Sequence, residues 1–327
     1  MSRELIELKR KISVVLFLLF LVIAASMIYV IQKSCDSENA LSEHNTESVI
    51  LPAFHVGDEK YLISCNGNQI MVYLENGTLF SQTDMKDEII LSSSIADLDQ
   101  DDRDEIILLV SKDVSSPAGE DTGSASNDIG RYGEDLVVLS VDKDSDEINE
   151  TISTGSNLIF KEIYTNHCKE LNPWKVQTSD VDGDGMTEIA LAVYKTSPFH
   201  PVMAKRPFLY DWINGGIFPK WRGSRLSRPF DDYVFADMDT NGKDELVSVE
   251  HLADGGKVLS CYCWKTFGFE KIAESEGFED ISSFRTELAD GERTNAVHAD
   301  VLIDSKWEEK TFFLYEGTLL TQKESMD

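Results

Sequence analysis

The sequence predicts an all-β chain of about five four-stranded groups, preceded by one N-terminal apolar helix. Three observations carry that expectation. Ile12 to Ile31 is a run of twenty residues without a charge. Short β-like runs then recur as far as the C-terminal end, and an Asp-rich pattern appears three times, each time directly before an apolar run.

The apolar segment comes first. At ~1.5 Å of rise per residue it covers ~30 Å as a helix, about one bilayer core. Arg3, Lys9, Arg10 and Lys11 precede it, and Asp36, Glu38 and Glu43 follow. The bias of basic residues towards the cytoplasm makes residues 1–11 a short cytoplasmic tail and 12–32 a transmembrane signal-anchor helix. Residues 33–48 form a polar stalk and 49–327 an extracellular domain. A cleaved signal peptide has an apolar region of only ~7–15 residues, shorter than this one. The expected location is the cell membrane, crossed once.

Composition bounds the partners. The chain of 327 residues carries a formal net charge of -29, yet 42% of its residues are apolar, enough to bury a sizeable core. Such a field repels nucleic acid and attracts cations. Five cysteines, an odd number, do not make a disulfide framework.

The strands follow in order. "YLISCN", "QIMVYLE" and "TLFSQT" are joined through "GN" and "NG", both hairpin signals. The first acidic copy, "DLDQDDRDEIIL" from Asp97, leads to "IILLV" and "LVVLSV", which are separated by the Ser-, Gly- and Asp-rich stretch Ser111–Glu134. The second copy, "DVDGDGMTEIAL" from Asp180, leads to "IALAVY" and "PFLYDW". The third, "DMDTNGKDELVS" from Asp237, leads to "LVSVE", "KVLSCYCW" and "FGFEKIAE". A last group contains "NAVHADVLI", "KTFFLYEG" and "GTLLTQ", but its "ELADGER" lacks the early carboxylates. The groups fall near 46–85, 86–160, 170–223, 226–275 and 278–323. Radial repetition of four-stranded sheets makes a β-propeller, here of about five blades, the last without metal.

Each acidic copy keeps carboxylates at its first and third places, Asp or Asn at the fifth and Glu at the ninth. Side chains at places one, three and five converge on one side of a tight loop, and hard oxygen ligands in this number suit calcium. An EF-hand needs its Glu at place twelve and a helix after it; here place twelve is Leu108, Leu191 or Ser248 and a strand follows. Asp, Asn and Gly clusters also make turns without metal, but three copies of one spacing favour a shared ligand.

The pattern resembles the FG-GAP or VCBS-type repeat of β-propellers, as in the head of integrin α-subunits, whose Asp-rich loop joins the first and second strands of a blade and binds calcium. The resemblance implies Asp180, Asp182, Asp184 and Glu188 as side-chain ligands, with the carbonyl of Met186. It likewise implies Asp237, Asp239, Asn241 and Glu245, and Asp97, Asp99, Asp101 and Glu105. The Phe-Gly and Gly-Ala-Pro signatures are not in register here, and Asp102 stands where glycine is expected, so the first bend costs more.

One segment, Pro198–Asp232, is basic and aromatic. Arginine with aromatic residues is frequent at binding hot spots, which makes Trp221, Arg222, Arg225 and Arg228 candidate ligand contacts. The plainer account packs the aromatics inside and pairs the arginines with aspartates. No zinc spacing, phosphate loop or nucleophile elbow occurs. The expected function is therefore a calcium-stabilised, non-catalytic binding or scaffolding module on the cell surface, with an extracellular protein or glycan as ligand. The alternatives are an enzyme acting on polysaccharide or phosphoester, with Arg222, Arg225 and His200 as candidates, or a sensor signalling through a membrane partner.

Overall fold

The computed structural model describes residues 52–112, 132–143, 158–286 and 295–321. The expected cytoplasmic tail, membrane helix and stalk lie outside these residues, as do most of Ser111–Glu134 and all of the "ELADGER" stretch.

Five antiparallel four-stranded meanders follow one another along the chain. The first holds β1 (Ala53–Val56), β2 (Glu59–Asn66), β3 (Gln69–Tyr73) and β4 (Leu79–Asp84). The second holds β5 (Glu88–Ala96), β6 (Glu105–Lys112), β7 (Asp135–Lys143) and β8 (Leu158–His167). A 3-10 turn, Lys169–Leu171, leads to the third: β9 (Pro173–Ser179), β10 (Glu188–Ser197), β11 (His200–Ile213) and β12 (Gly216–Arg222). The fourth is β13 (Phe230–Ala236), β14 (Glu245–His251), β15 (Lys257–Lys265) and β16 (Gly268–Glu274). The fifth is β17 (Asp280–Arg285), β18 (Ala296–Ile303), β19 (Lys306–Tyr315) and β20 (Thr318–Thr321). The last two meanders join into one eight-stranded sheet through a single parallel pair, Glu274 with Thr318. The second group runs on to His167, beyond the expected end near 160, because β8 pairs with β7 along its whole length.

The second strands explain the continuous apolar runs. Successive side chains of a strand point to opposite faces, so a strand buried on both faces is apolar throughout. In β6, Ile106, Leu108 and Val110 pack against the first group, while Ile107 and Leu109 pack against the third. In β10, Ile189, Leu191 and Val193 face the second group, whereas the small Ala190 and Ala192 admit Tyr233 and Tyr262 of the fourth. In β14, Val247 and Val249 meet Val297 and Val301 of the fifth. Each such Ile, Leu or Val contributes about 1.5–3 kcal/mol when fully buried. Sheets therefore stack face to face in sequence order. The first strands lie beside one another, β5 by β9, β9 by β13 and β13 by β17. Ala53, Ser92, Val176, Phe235 and Thr286, one from or beside each first strand, line a common cavity of about 380 Å³.

Candidate functional site

The three acidic copies form corners of one design, between β5 and β6, β9 and β10, and β13 and β14. The first-place aspartate accepts backbone N–H groups from across the corner: Asp101 and Asp102 donate to Asp97, Gly183 and Gly185 to Asp180, and Asn241 and Gly242 to Asp237. The fifth-place side chain accepts the N–H two residues on, from Arg103, Met186 or Lys243. The ninth-place glutamate is buried and accepts the N–H of place two: Leu98 to Glu105 at 2.9 Å, Val181 to Glu188 at 3.0 Å and Met238 to Glu245 at 3.0 Å. Place two is a buried apolar residue each time, which pins the corner to the core.

Places four and six take left-handed backbone. In the second corner both are glycine, Gly183 and Gly185; in the first they are Gln100 and Asp102, and in the third Thr240 and Gly242. Two such residues without glycine make the first corner the most strained.

The carboxylates converge. Ligand atoms of Asp97, Asp99 and Asp101 lie within 4.8 Å of one another, as do those of Asp180, Asp182 and Glu188, and those of Asp237, Asp239 and Glu245. Glu105 and Asp184 stand outside these trios. Burial pushes the carboxyls of Glu105 and Glu245 up from 4.5 to about 7, and the neighbouring aspartates push the same way. The donor chemistry of the first and third corners thus fits a hard divalent cation.

The second corner differs. Lys220 on β12 sends its ammonium into the cluster, 2.7 Å from Asp182 Oδ2, 2.5 Å from Glu188 Oε1 and 3.2 Å from Asp211 Oδ1. Burial still holds the Glu188 carboxyl at about 7, against the opposing pull of Lys220.

Two eighth-place aspartates fasten corners to the preceding group. Asp104 accepts the backbone N–H of His55 at 2.6 Å, is 2.9 Å from its Nδ1, and donates its own N–H to the His55 carbonyl. Asp244 accepts the Asp180 N–H at 3.0 Å and the Ser179 hydroxyl at 3.1 Å, and donates to the Asp180 carbonyl. The sequence signal was present, an Asp at place eight in two copies, but nothing local says what it touches.

The basic and aromatic segment does not form one surface. Trp221 packs edge-on against Trp264 and Phe269. Arg228 pairs with Glu274 at 2.6 Å and reaches the fully buried Glu250, which also accepts the hydroxyls of Ser260 and Tyr262. Arg225 is exposed. His200 lies 3.2 Å from the buried guanidinium of Arg206, which braces three carbonyls.

Arg222 alone of the four candidates lines a cavity of about 660 Å³, enclosed by the end of β8, the 3-10 turn and β10 to β12. His167, Glu170, Phe199, Tyr210 and Ser224 share it. Asp135 and His167 are direct cross-strand partners, and Asp135 Oδ1 lies 2.7 Å from His167 Nδ1. An Nδ1–H donated to that carboxylate leaves Nε2 as the basic nitrogen. Arg222 lies 6.0 Å from the centre of the Tyr210 ring, and Phe199 is 91% exposed at the rim. Burial pushes the Cys168 thiol up to about 12, which removes it as a nucleophile.

No family model matches the chain, and no curated protein matches it. Among solved structures, it is similar to a candidate 6-phosphogluconolactonase from Bacteroides uniformis, at 10% identity and a TM-score of 0.42, covering 83% of this chain and 69% of that one. It is also similar to a rhamnogalacturonan lyase from Bacillus licheniformis, at 12% identity and a TM-score of 0.37, covering 83% of this chain and 54% of that one. Likeness this distant says nothing of what the chain acts on. The cavity itself is lined by His167, whose ring is held by Asp135, and by Glu170 and Arg222. The expectation of a non-catalytic binding or scaffolding module is corrected on that geometry. The pair does not show in the sequence, because Asp135 lies 32 residues from His167, across a connection whose length gives no register.

Proposed function

We propose that the chain is an enzyme that cleaves an acidic polysaccharide in the cavity between its second and third groups. The observation that carries this reading is the gathering of His167, Glu170, Tyr210 and Arg222 around one cavity, with Asp135 behind His167 holding its ring. Asp135 fixes the imidazole so that Nε2 takes or delivers the proton at the scissile bond. Arg222 holds a substrate carboxylate through its planar fork. Phe199, exposed at the rim, offers a face to a sugar ring.

The frame in this reading is a five-bladed β-propeller of the FG-GAP or VCBS kind. Five consecutive meanders, stacked in sequence order with their first strands around one cavity, support it. So does the position of every acidic corner between a group's first and second strands. Calcium neutralises the corners, with affinity of ~10⁻⁴–10⁻³ M as in other extracellular modules. Residues 12–32 anchor the enzyme, so the membrane is its fixed partner and an extracellular glycan its substrate.

The test is release of reducing ends from uronate-bearing polysaccharides by the purified full chain. His167→Gln should lower kcat by about 10²–10⁴-fold, and Arg222→Met should raise KM. Turnover of a phosphoester instead would transfer the same residues to that substrate. Full activity of His167→Gln would overturn the reading.

A further inference from the structure

We infer that Lys220 is the resident cation of the second corner, so the chain binds calcium at two corners rather than three. The inference rests on the calcium reading above and sharpens it against the sequence, in which the second copy, with both its glycines, looks like the best site.

The geometry begins on β12. Leu209 pairs with Trp221 and Tyr210 with Pro219, so Lys220 is the extra residue of a β-bulge. A bulge re-aims a side chain that regular pairing would direct elsewhere, and Pro219 beside it has no N–H to lose from the ladder. The re-aimed stem crosses β11 and places Nζ among Asp182, Glu188 and Asp211. The Lys220 side chain is only 14% exposed, and that of Glu188 1%. Three carboxylates around one ammonium use all three of its donors.

Two of those carboxylates belong to the trio that converges at this corner. A divalent ion there would share Asp182 and Glu188 with the ammonium, which holds Asp182 Oδ2 and Glu188 Oε1 but not the buried Asp182 Oδ1, and would face a positive charge at contact distance. The first and third corners carry no such group: among the described residues, no Lys or Arg pairs with Asp97, Asp99, Asp101, Glu105, Asp237, Asp239 or Glu245. Their like charges need an ion from solution, whereas at the second corner the fold itself supplies one positive charge. That corner sits between the other two and is tied to both, by Gln100 Nε2 to the Gly185 carbonyl and by Asp244 to Asp180. A covalently tethered cation there keeps the middle of the row closed when calcium is scarce.

The experiment is calcium titration of the full chain by calorimetry, with melting followed in parallel. The wild-type chain should take up about two ions, Asp239→Asn about one, and Asp182→Asn still about two. Lys220→Met should take up about three, with its melting temperature below wild type in chelator and restored by calcium. Asp182→Asn keeps the test decisive if Lys220→Met does not fold. Wild-type uptake of about three ions, falling to two in Asp182→Asn, would overturn the role of Lys220 and leave the calcium reading standing. Uptake of none by any variant would overturn both.

Discussion

Without calcium, the protein should be less stable at pH 8 than at pH 5, the reverse of what paired carboxylates usually give. Glu105 and Glu245 are buried at the ninth place of their corners, and burial raises each carboxyl from 4.5 to about 7. Below pH 4.5 both folded and unfolded chains hold the proton, and the contribution is intact. Between 4.5 and 7 the unfolded chain releases it while the folded chain keeps it, so stability falls as pH rises through that window. Above 7 the loss is complete, on the order of 3 kcal/mol for each glutamate at most. For a domain this size that corresponds to roughly 10 °C in Tm. The assay is thermal unfolding in chelator across this range. The net charge of -29 works in the same direction, so Glu245→Gln isolates the local effect. Glutamine still accepts the Met238 N–H, so Glu245→Gln should raise Tm at pH 8 and change it far less at pH 5. Calcium should cancel the trend, because its ligands bind it deprotonated. A chelated protein whose Tm is flat from pH 5 to 8, or a Glu245→Gln variant that melts lower at pH 8, would refute the argument.

Two further outcomes test the corners. Gly183→Ala should cost about 1–2 kcal/mol in urea unfolding, since Gly183 has φ +74 and a Cβ there would lie 2.7 Å from the Lys243 side chain; a neutral effect would show that the fourth place tolerates any residue. Asp244→Ala removes the acceptor of the Asp180 N–H and the Ser179 hydroxyl and should cost about 1–3 kcal/mol with calcium present or absent. Loss seen only with calcium would make Asp244 a ligand rather than a fastener.

Much of this was legible locally and some of it was not. Alternation and turn residues are local rules, so the strands of "QIMVYLE" and "TLFSQT" fall where the sequence predicts them, as β3 and β4. The acidic corners were legible because Asp, Asn and Glu recur at four fixed places. The brace from Glu105, Glu188 and Glu245 to place two was also written there, as an apolar residue between two carboxylates, but it is visible only once the ninth place is seen to be buried. Lys220 could not be read. Its neighbours Pro219, Trp221 and Arg222 suggest a basic surface, and only the slip in pairing with β11 turns it towards Glu188, 32 residues earlier. The His167–Asp135 pair failed in the same way, since it depends on the register between β7 and β8. Contacts set by strand register do not show in composition.

The strand directions separate what the corners do from what the cavity does. β9 runs from the turn at Lys169–Leu171 to the corner at Asp180, and β10 returns from Glu188 to Ser197, which again lines the cavity. Seven residues of β9 at ~3.3 Å each put roughly 20 Å between the two ends. At physiological ionic strength the Debye length is about 8 Å, so the charge held at that corner exerts little field on His167. Its influence must travel as rigidity, through the apolar faces of β10 packed against β6 on one side and β14 on the other. On the proposed reading the corners, with calcium at the first and third, belong to the frame and His167 to the chemistry, and the sheet between them sets the spacing of β8 and β10 on which the cavity depends.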